Sequence, residues 1–204
     1  MKYVKSELEL LPYFNIQTAS LVLEKGGLNL YRQIERLVKS GYFLCLKSGL
    51  YVTKTFWDRN INNRAVYGQQ IANTLRAPSY LSLEYVLAQN GLIPEAINTY
   101  TSITLKTSRS YQNFLGTFMY SNIKDSLFCG FFQGVASKAK ALFDLLYLKK
   151  NINPNYKLEL SEGLRINWNN FSKADLKEFK RLCVIAKSTK MNRIAEIMES
   201  LLWS

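Results

Sequence analysis

Apolar residues recur at helical spacing through the first forty positions and then change to strand spacing. Val4, Leu8 and Leu11 form one segment, which Pro12 ends. Ala19, Val22 and Leu23 mark a second helix over residues 18–25, stopped by Gly26-Gly27. A third is predicted over 29–40, with Asn29 as its N-cap and Gly41 just beyond its end. Residues 42–46 and 50–55 are aromatic and β-branched, and Lys47-Ser48-Gly49 between them is a hairpin signal. The asparagine-rich run at 57–64 then reads as a domain boundary, giving one domain over 1–60 and a second over 65–204. In the second, helices are expected at 65–75 and 81–89, and extended segments at 96–105, 111–123 and 127–133. Further helices are expected at 137–149, 172–187 and 191–202, with Ser172 and Asp175 spaced as a capping box. The fold class is α+β, the larger domain carrying a small antiparallel sheet and helices.

The third helix changes the picture. At about 100° per residue, Leu30, Ile34, Leu37 and Val38 fall on one side, and Arg32, Arg36 and Lys39 together on the other. Asn29 and Gln33 border the basic stripe, and Tyr31 lies at its opposite margin. Arginine offers paired donors to guanine, and asparagine or glutamine pairs its amide with adenine. Lys47 and Ser48, at the hairpin tip, are placed to meet phosphate or a minor groove. Helix, helix, basic helix and hairpin is the order of a winged helix-turn-helix. The plainer alternatives are a solvated amphipathic helix, or a winged helix used for protein contact.

Charge points the same way. The chain has 204 residues, with 27 Lys and Arg against 15 Asp and Glu, a net of +12. That balance favours a polyanionic partner, although ordinary solubility charge is the bland account. Basicity is not confined to the first domain: ten basic residues face five acidic ones in 1–64, and seventeen face ten thereafter. Lys173, Lys177, Lys180 and Arg181 form a second stripe that reads as a solvated face, or as further phosphate contacts. Cys45, Cys129 and Cys183 are too dispersed for a zinc site or a disulfide scaffold. The charged N-terminus is unlike a signal peptide, and no stretch approaches the ~20 apolar residues of a membrane span. A cytoplasmic protein is expected, with no cofactor, no metal and no membrane partner.

Histidine is absent, which removes Ser-His-Asp and Cys-His catalysis. Ser137-Lys138-Ala139-Lys140 matches S-x-x-K without the accompanying motifs, so Ser137 reads as a helix cap. Asp144, with Tyr147 on the same helix, lacks the second carboxylate that acid–base work normally needs, and reads as a local cap or salt bridge. No glycine-rich phosphate loop is present. The expectation is a non-enzyme. A small enzyme carrying a positioning module, or a ligand-responsive transcription factor, are the competing classes.

One family is similar in both halves. Ile34 to Tyr42, followed by Lys47-Ser48-Gly49-Leu50-Tyr51, resembles the recognition helix and wing of the AbiEi antitoxins. More distinctive are Pro78-Ser79-Tyr80-Leu81-Ser82-Leu83-Glu84, Gly91-Leu92-Ile93-Pro94-Glu95-Ala96 and Thr101-Ser102-Ile103-Thr104. Gly116-Thr117-Phe118-Met119-Tyr120, Leu127-Phe128-Cys129-Gly130 and Lys140-Ala141-Leu142-Phe143-Asp144-Leu145-Leu146-Tyr147-Leu148 follow in the order of that family's C-terminal domain. The chain departs where the family has Pro-Glu-Lys-Ala-Leu, with Lys138-Ala139-Lys140-Ala141-Leu142 instead, and in a shorter connection at 131–137. The resemblance implies a type IV antitoxin of an abortive-infection system. Such a protein represses its own operon at an operator with inverted repeats, and opposes an AbiEii-like nucleotidyltransferase toxin without requiring a stable complex. The antitoxin surface is then expected at Ser79, Tyr80, Ser82, Thr101, Thr104, Lys140, Asp144 and Tyr147.

Overall fold

The computed structural model describes residues 7–202 as a mixed α+β chain with a small antiparallel sheet and a larger mixed one. It divides into two compact units, the first running to Ile71 and including Tyr111–Gly116, the second Ala72–Ser110 and Thr117 onward. The division therefore falls inside a helix and not in the asparagine run. Residues 57–64 are not a linker. They hold the end of a helix at Lys54–Arg59, a 3-10 turn at Ile61–Asn63, and the start of the helix Arg64–Leu75. Their polarity misled because polar residues here continue a helical path, and one of them serves backbone: Asn60 Nδ2 donates to the Phe56 carbonyl at 2.9 Å. Trp57 in the same run is packed edge-on against Phe114 at 5.2 Å, with the Arg64 guanidinium 4.9 Å from its ring.

In the first unit, β1 (Phe14–Asn15) leads into α1 (Ile16–Leu23) and α2 (Gly27–Lys39), then β2 (Phe43–Lys47) and β3 (Leu50–Thr53). The sheet order is β1-β3-β2, both pairings antiparallel. The Asn15 side chain caps α1 by accepting from Thr18 N at 2.9 Å. Asn29 does not cap α2. Gly26 takes the N-cap position in extended backbone, so the helix starts two residues earlier and Asn29 lies on its exposed side. Leu30, Ile34 and Leu37 of α2 are buried with Leu8, Phe14, Ala19 and Phe43. Part of the first expected helix, including Val4, lies outside the described residues. The helices Lys54–Arg59 and Arg64–Leu75 are α3 and α4.

The larger sheet runs β6-β7-β5-β4-β9-β8. Its strands are β4 (Ser79–Leu81), β5 (Thr99–Thr104), β6 (Arg109–Asn113), β7 (Gly116–Asn122), β8 (Phe131–Phe132) and β9 (Val135–Ala136). It is not the antiparallel sheet expected from the aromatic runs, because β5 with β7 and β4 with β9 are parallel. The helix predicted at 81–89 is shorter: β4 occupies Ser79–Leu81, and α5 (Leu83–Gln89) follows after Leu83 turns the chain at φ 58°. Tyr80 and Leu81 are both fully buried, as in a strand covered on two faces, and no alternation announces such a strand. The extended segment expected at 127–133 is mostly a 3-10 turn and loop.

Helix α6 (Lys138–Leu148) is buried from Ala139 to Leu146. Ser137 caps it by accepting from Lys140 N at 3.0 Å. Helix α7 (Lys173–Ala186) begins with the Ser172–Asp175 capping box and packs Phe179 edge-on against Phe143 at 5.7 Å; α8 (Thr189–Leu202) follows. Among the described residues no helix is long and apolar enough to cross a membrane.

The β8–β9 hairpin shows why its turn is short. Gln133 at φ 48° and Gly134 at φ 76° supply the two left-handed residues that a two-residue turn needs. The Gly134 carbonyl accepts from Leu81 N at 2.8 Å and from Asn73 Nδ2 at 3.1 Å. A Cβ at Gly134 would stand 2.2 Å from Asn73 Nδ2. Gly134→Ala should therefore cost about 1–3 kcal/mol, read as a lowered urea midpoint with an unchanged slope.

Candidate nucleic-acid interface

Burial of Leu30, Ile34 and Leu37 decides which side of α2 meets water. Asn29, Tyr31, Arg32, Arg36 and Lys39 are exposed, and Gln33 is half-buried. Near the start of the helix, Lys25, Asn29, Arg32, Gln33 and Arg36 border a concavity of about 350 Å³ with Glu24 and Gly26. The Lys25 ammonium approaches Gln33 Oε1 at 3.5 Å there. Guanidinium and amide donors thus converge along one side of a thirteen-residue helix.

Sequence reasoning passed over Glu35. It stands on the exposed face between Arg32 and Lys39, and its carboxylate meets the Lys39 ammonium at 2.7 Å. That hydrogen bond and charge hold the Glu35 carboxyl below its usual range. One of the three stripe cations is therefore already paired, while Arg32 and Arg36 have no ion-pair partner among the described residues. The i, i+4 spacing of Glu35 and Lys39 was the available signal.

The hairpin closes tighter than the Lys47-Ser48-Gly49 connection suggested. Lys47 pairs with Leu50, leaving Ser48 and Gly49 as a two-residue loop with Gly49 at φ 78°. Ser48 is exposed at the tip. Lys47 is a strand residue, half-buried, with its ammonium 5.9 Å from the centre of the Tyr111 ring.

The residues expected as an antitoxin surface lie elsewhere, in the second unit, and most are inside it. Tyr80, Ser82, Thr104, Lys140 and Asp144 have no exposed surface, and Thr101 is 8% exposed; only Ser79 and Tyr147 are half-buried. Five of them form interior contacts around one ion pair. Lys140 Nζ donates to Asp144 Oδ1 at 2.6 Å and to the Leu127 carbonyl at 2.7 Å. Asp144 Oδ2 accepts from Ser82 Oγ at 2.7 Å and from Tyr80 OH at 3.0 Å. Thr101 Oγ1 donates to the Ser82 carbonyl at 2.7 Å and accepts from Tyr85 N. Thr104 Oγ1 donates to the Pro78 carbonyl at 2.8 Å, and Tyr147 stacks on Phe143.

Burial pushes the Asp144 carboxyl up, against the Lys140 charge and the two hydroxyls that favour its ionised form. Burial, then the Asp144 charge, push the Tyr80 phenol up as well. Gly130 closes over the Lys140 stem, where a Cβ would stand 3.1 Å from Cγ. The S-x-x-K pattern forms no dyad, since Ser137 Oγ is the α6 cap and donates to Glu178 at 2.8 Å. On α7, Lys173, Lys177 and Arg181 are exposed, while Lys180 pairs with Glu199 at 2.8 Å.

Comparison with family models, with curated proteins and with solved structures finds no match.

The buried pair makes a sharp prediction. Lys140→Met or Asp144→Leu alone leaves an uncompensated charge in the interior and should cost about 3–5 kcal/mol in urea denaturation. The double variant should cost less than either single one. A double variant as damaging as the sum of the two would mean that the charges are not coupled.

Proposed function

We propose that the chain is an antitoxin that binds operator DNA through its first unit and opposes a nucleotidyltransferase-like toxin. The observation that carries the DNA-binding half is the exposed side of α2. Arg32 and Arg36, free of ion pairs among the described residues, stand beside Asn29 on a helix anchored by its opposite side. The unit's order of strand, helix, helix and hairpin supports its reading as a winged helix-turn-helix, with α2 entering a major groove and Ser48 near a phosphate. The net charge of +12 supports a polyanionic partner.

The antitoxin half rests on the resemblance of the motifs from Pro78 to Leu148 to AbiEi proteins. Burial of Tyr80, Ser82, Lys140 and Asp144 assigns those motifs to the interior that keeps the unit folded. A toxin, or the toxin's substrate, is met by other residues, and the exposed Lys177 and Arg181 are available for an RNA or phosphate contact.

Binding to the DNA upstream of its own gene should be lost in the Arg32→Ala/Arg36→Ala variant, while the melting temperature holds. Where residual binding is measurable, its salt slope should fall by about two. Glu35→Gln should act oppositely, because it releases Lys39 for phosphate and raises affinity for any duplex. Fluorescence anisotropy against salt reads both. Co-expression with the neighbouring gene product, scored by growth, tests the antitoxin half. Full affinity in the double arginine variant would sink the DNA reading, and failed rescue by the wild type would sink the other.

A further inference from the structure

A cleft opens in the second unit beside α5. It consists of two adjoining cavities of about 400 Å³ and about 560 Å³ that share Leu83, Glu84, Ile97 and Ser121. The first is walled by Ile93, Leu145, Leu148 and Leu164. The second lies over Thr101 and Met119, which pair across β5 and β7. Met119 is 51% exposed although β7 lies between β6 and β5. An apolar side chain left half-bare on an inner strand marks a stretch of sheet that no element of the unit covers among the described residues. Leu83 is buried in a left-handed conformation that leucine rarely adopts, and this turn sets Leu83 and Glu84 side by side in the wall of both cavities.

The charges around the cleft are unequal. Lys149 is paired with Glu159 at 2.7 Å, and Glu95 is paired with Arg165. Glu84 is half-buried and has no ion-pair partner among the described residues. It leaves one uncompensated carboxylate between apolar walls, in a chain whose net charge is otherwise strongly positive.

We propose that this cleft binds a small alkyl or aryl primary amine, its apolar body against Ile93, Ile97, Leu145 and Leu148 and its ammonium at Glu84. The cavity volumes lie in the range of small-molecule sites. A neutral apolar ligand would strip water from Glu84 and give nothing back, and an anion would be repelled. A cation instead meets the carboxylate with a charge-assisted hydrogen bond. The site stands apart from the DNA-binding and antitoxin reading, and would give the second unit a chemical input of its own.

The test is calorimetric titration of the full chain with 2-phenylethylamine, with 2-phenylethanol and 3-phenylpropionate as its neutral and anionic counterparts. The amine should bind saturably and at least about tenfold more tightly than either. Glu84→Gln should erase that advantage while leaving the alcohol's affinity as in the wild type. Ile97→Arg, which places a cation of the protein's own in the cleft, should abolish amine binding at an unchanged melting temperature. The Arg32→Ala/Arg36→Ala variant should bind amine normally, which separates this site from the DNA reading. No saturable amine binding, equal affinity for all three compounds, or an unaltered amine affinity in Glu84→Gln would each overturn the proposal.

Discussion

An ammonium and a carboxylate sealed from water at 2.6 Å constrain everything around them in the second unit. Removing each ion from water costs several kcal/mol, and attraction between the two offsets this only when the remaining hydrogen-bonding capacity is filled. Here most of it is met, from three directions. The Leu127 carbonyl takes a second Lys140 proton, and Ser82 and Tyr80 occupy the other carboxylate oxygen. Residue 130 must then be small enough to close over the lysine stem, and its φ of 74° suits glycine. Strand β4, helix α6 and the turn at Leu127 are thus tied to one another by a single buried network. Such networks add less to net stability than to the choice of one arrangement over others.

Helix α2 in the first unit follows a simpler rule with a different consequence. Leu30, Ile34 and Leu37 fix its rotation, so its outward residues carry no packing duty. Their identities are set by solvent or by a partner. Glu35 shows that this face is not uniformly basic: pairing with Lys39 lowers the field the helix presents, and leaves the two arginines as its unopposed charges. A face meant only for solubility has no need to gather amide and guanidinium donors around one concavity, as Asn29, Gln33, Arg32 and Arg36 do.

What could be read before the structure follows from how local each determinant is. The helix over α2, the hairpin at Ser48-Gly49, the Ser137 cap and the Ser172–Asp175 box were legible because each depends on residues within a few positions of one another. The parallel pairing of β5 with β7 was not, since strand direction is set by the chain's route and not by the composition of either strand. Strand β4 was not legible because Tyr80 and Leu81 are buried on opposite faces and show no alternation, and only its last residue, Leu81, fell in an expected element, the helix over 81–89. The asparagine run misled for the opposite reason, as its polar residues continue a helical path and Asn60 bonds to the backbone one turn before it. Asn29 has no capping role because the helix begins earlier, with Gly26 at the N-cap and Gly27, at φ 52°, as its first residue.

The site residues divide along the same line. Asn29, Arg32 and Arg36 could be placed on an outer face by helical period alone, whereas the inner or outer position of Ser82, Lys140 and Asp144 depends on partners far along the chain. A motif rich in hydroxyls, a lysine and an aspartate looks like chemistry when its residues are unplaced. Once Lys140 and Asp144 are found to satisfy one another away from water, the same motif is better understood as the condition for folding. Candidate contacts with other molecules then belong where charge is left uncompensated at a surface. Among the described residues two such places are the guanidinium groups of Arg32 and Arg36 in one unit and the Glu84 carboxylate in the other. Opposite charges at these two places call for ligands of opposite charge, so the outer side of α2 and the Glu84 cleft are each to be understood through a partner of its own.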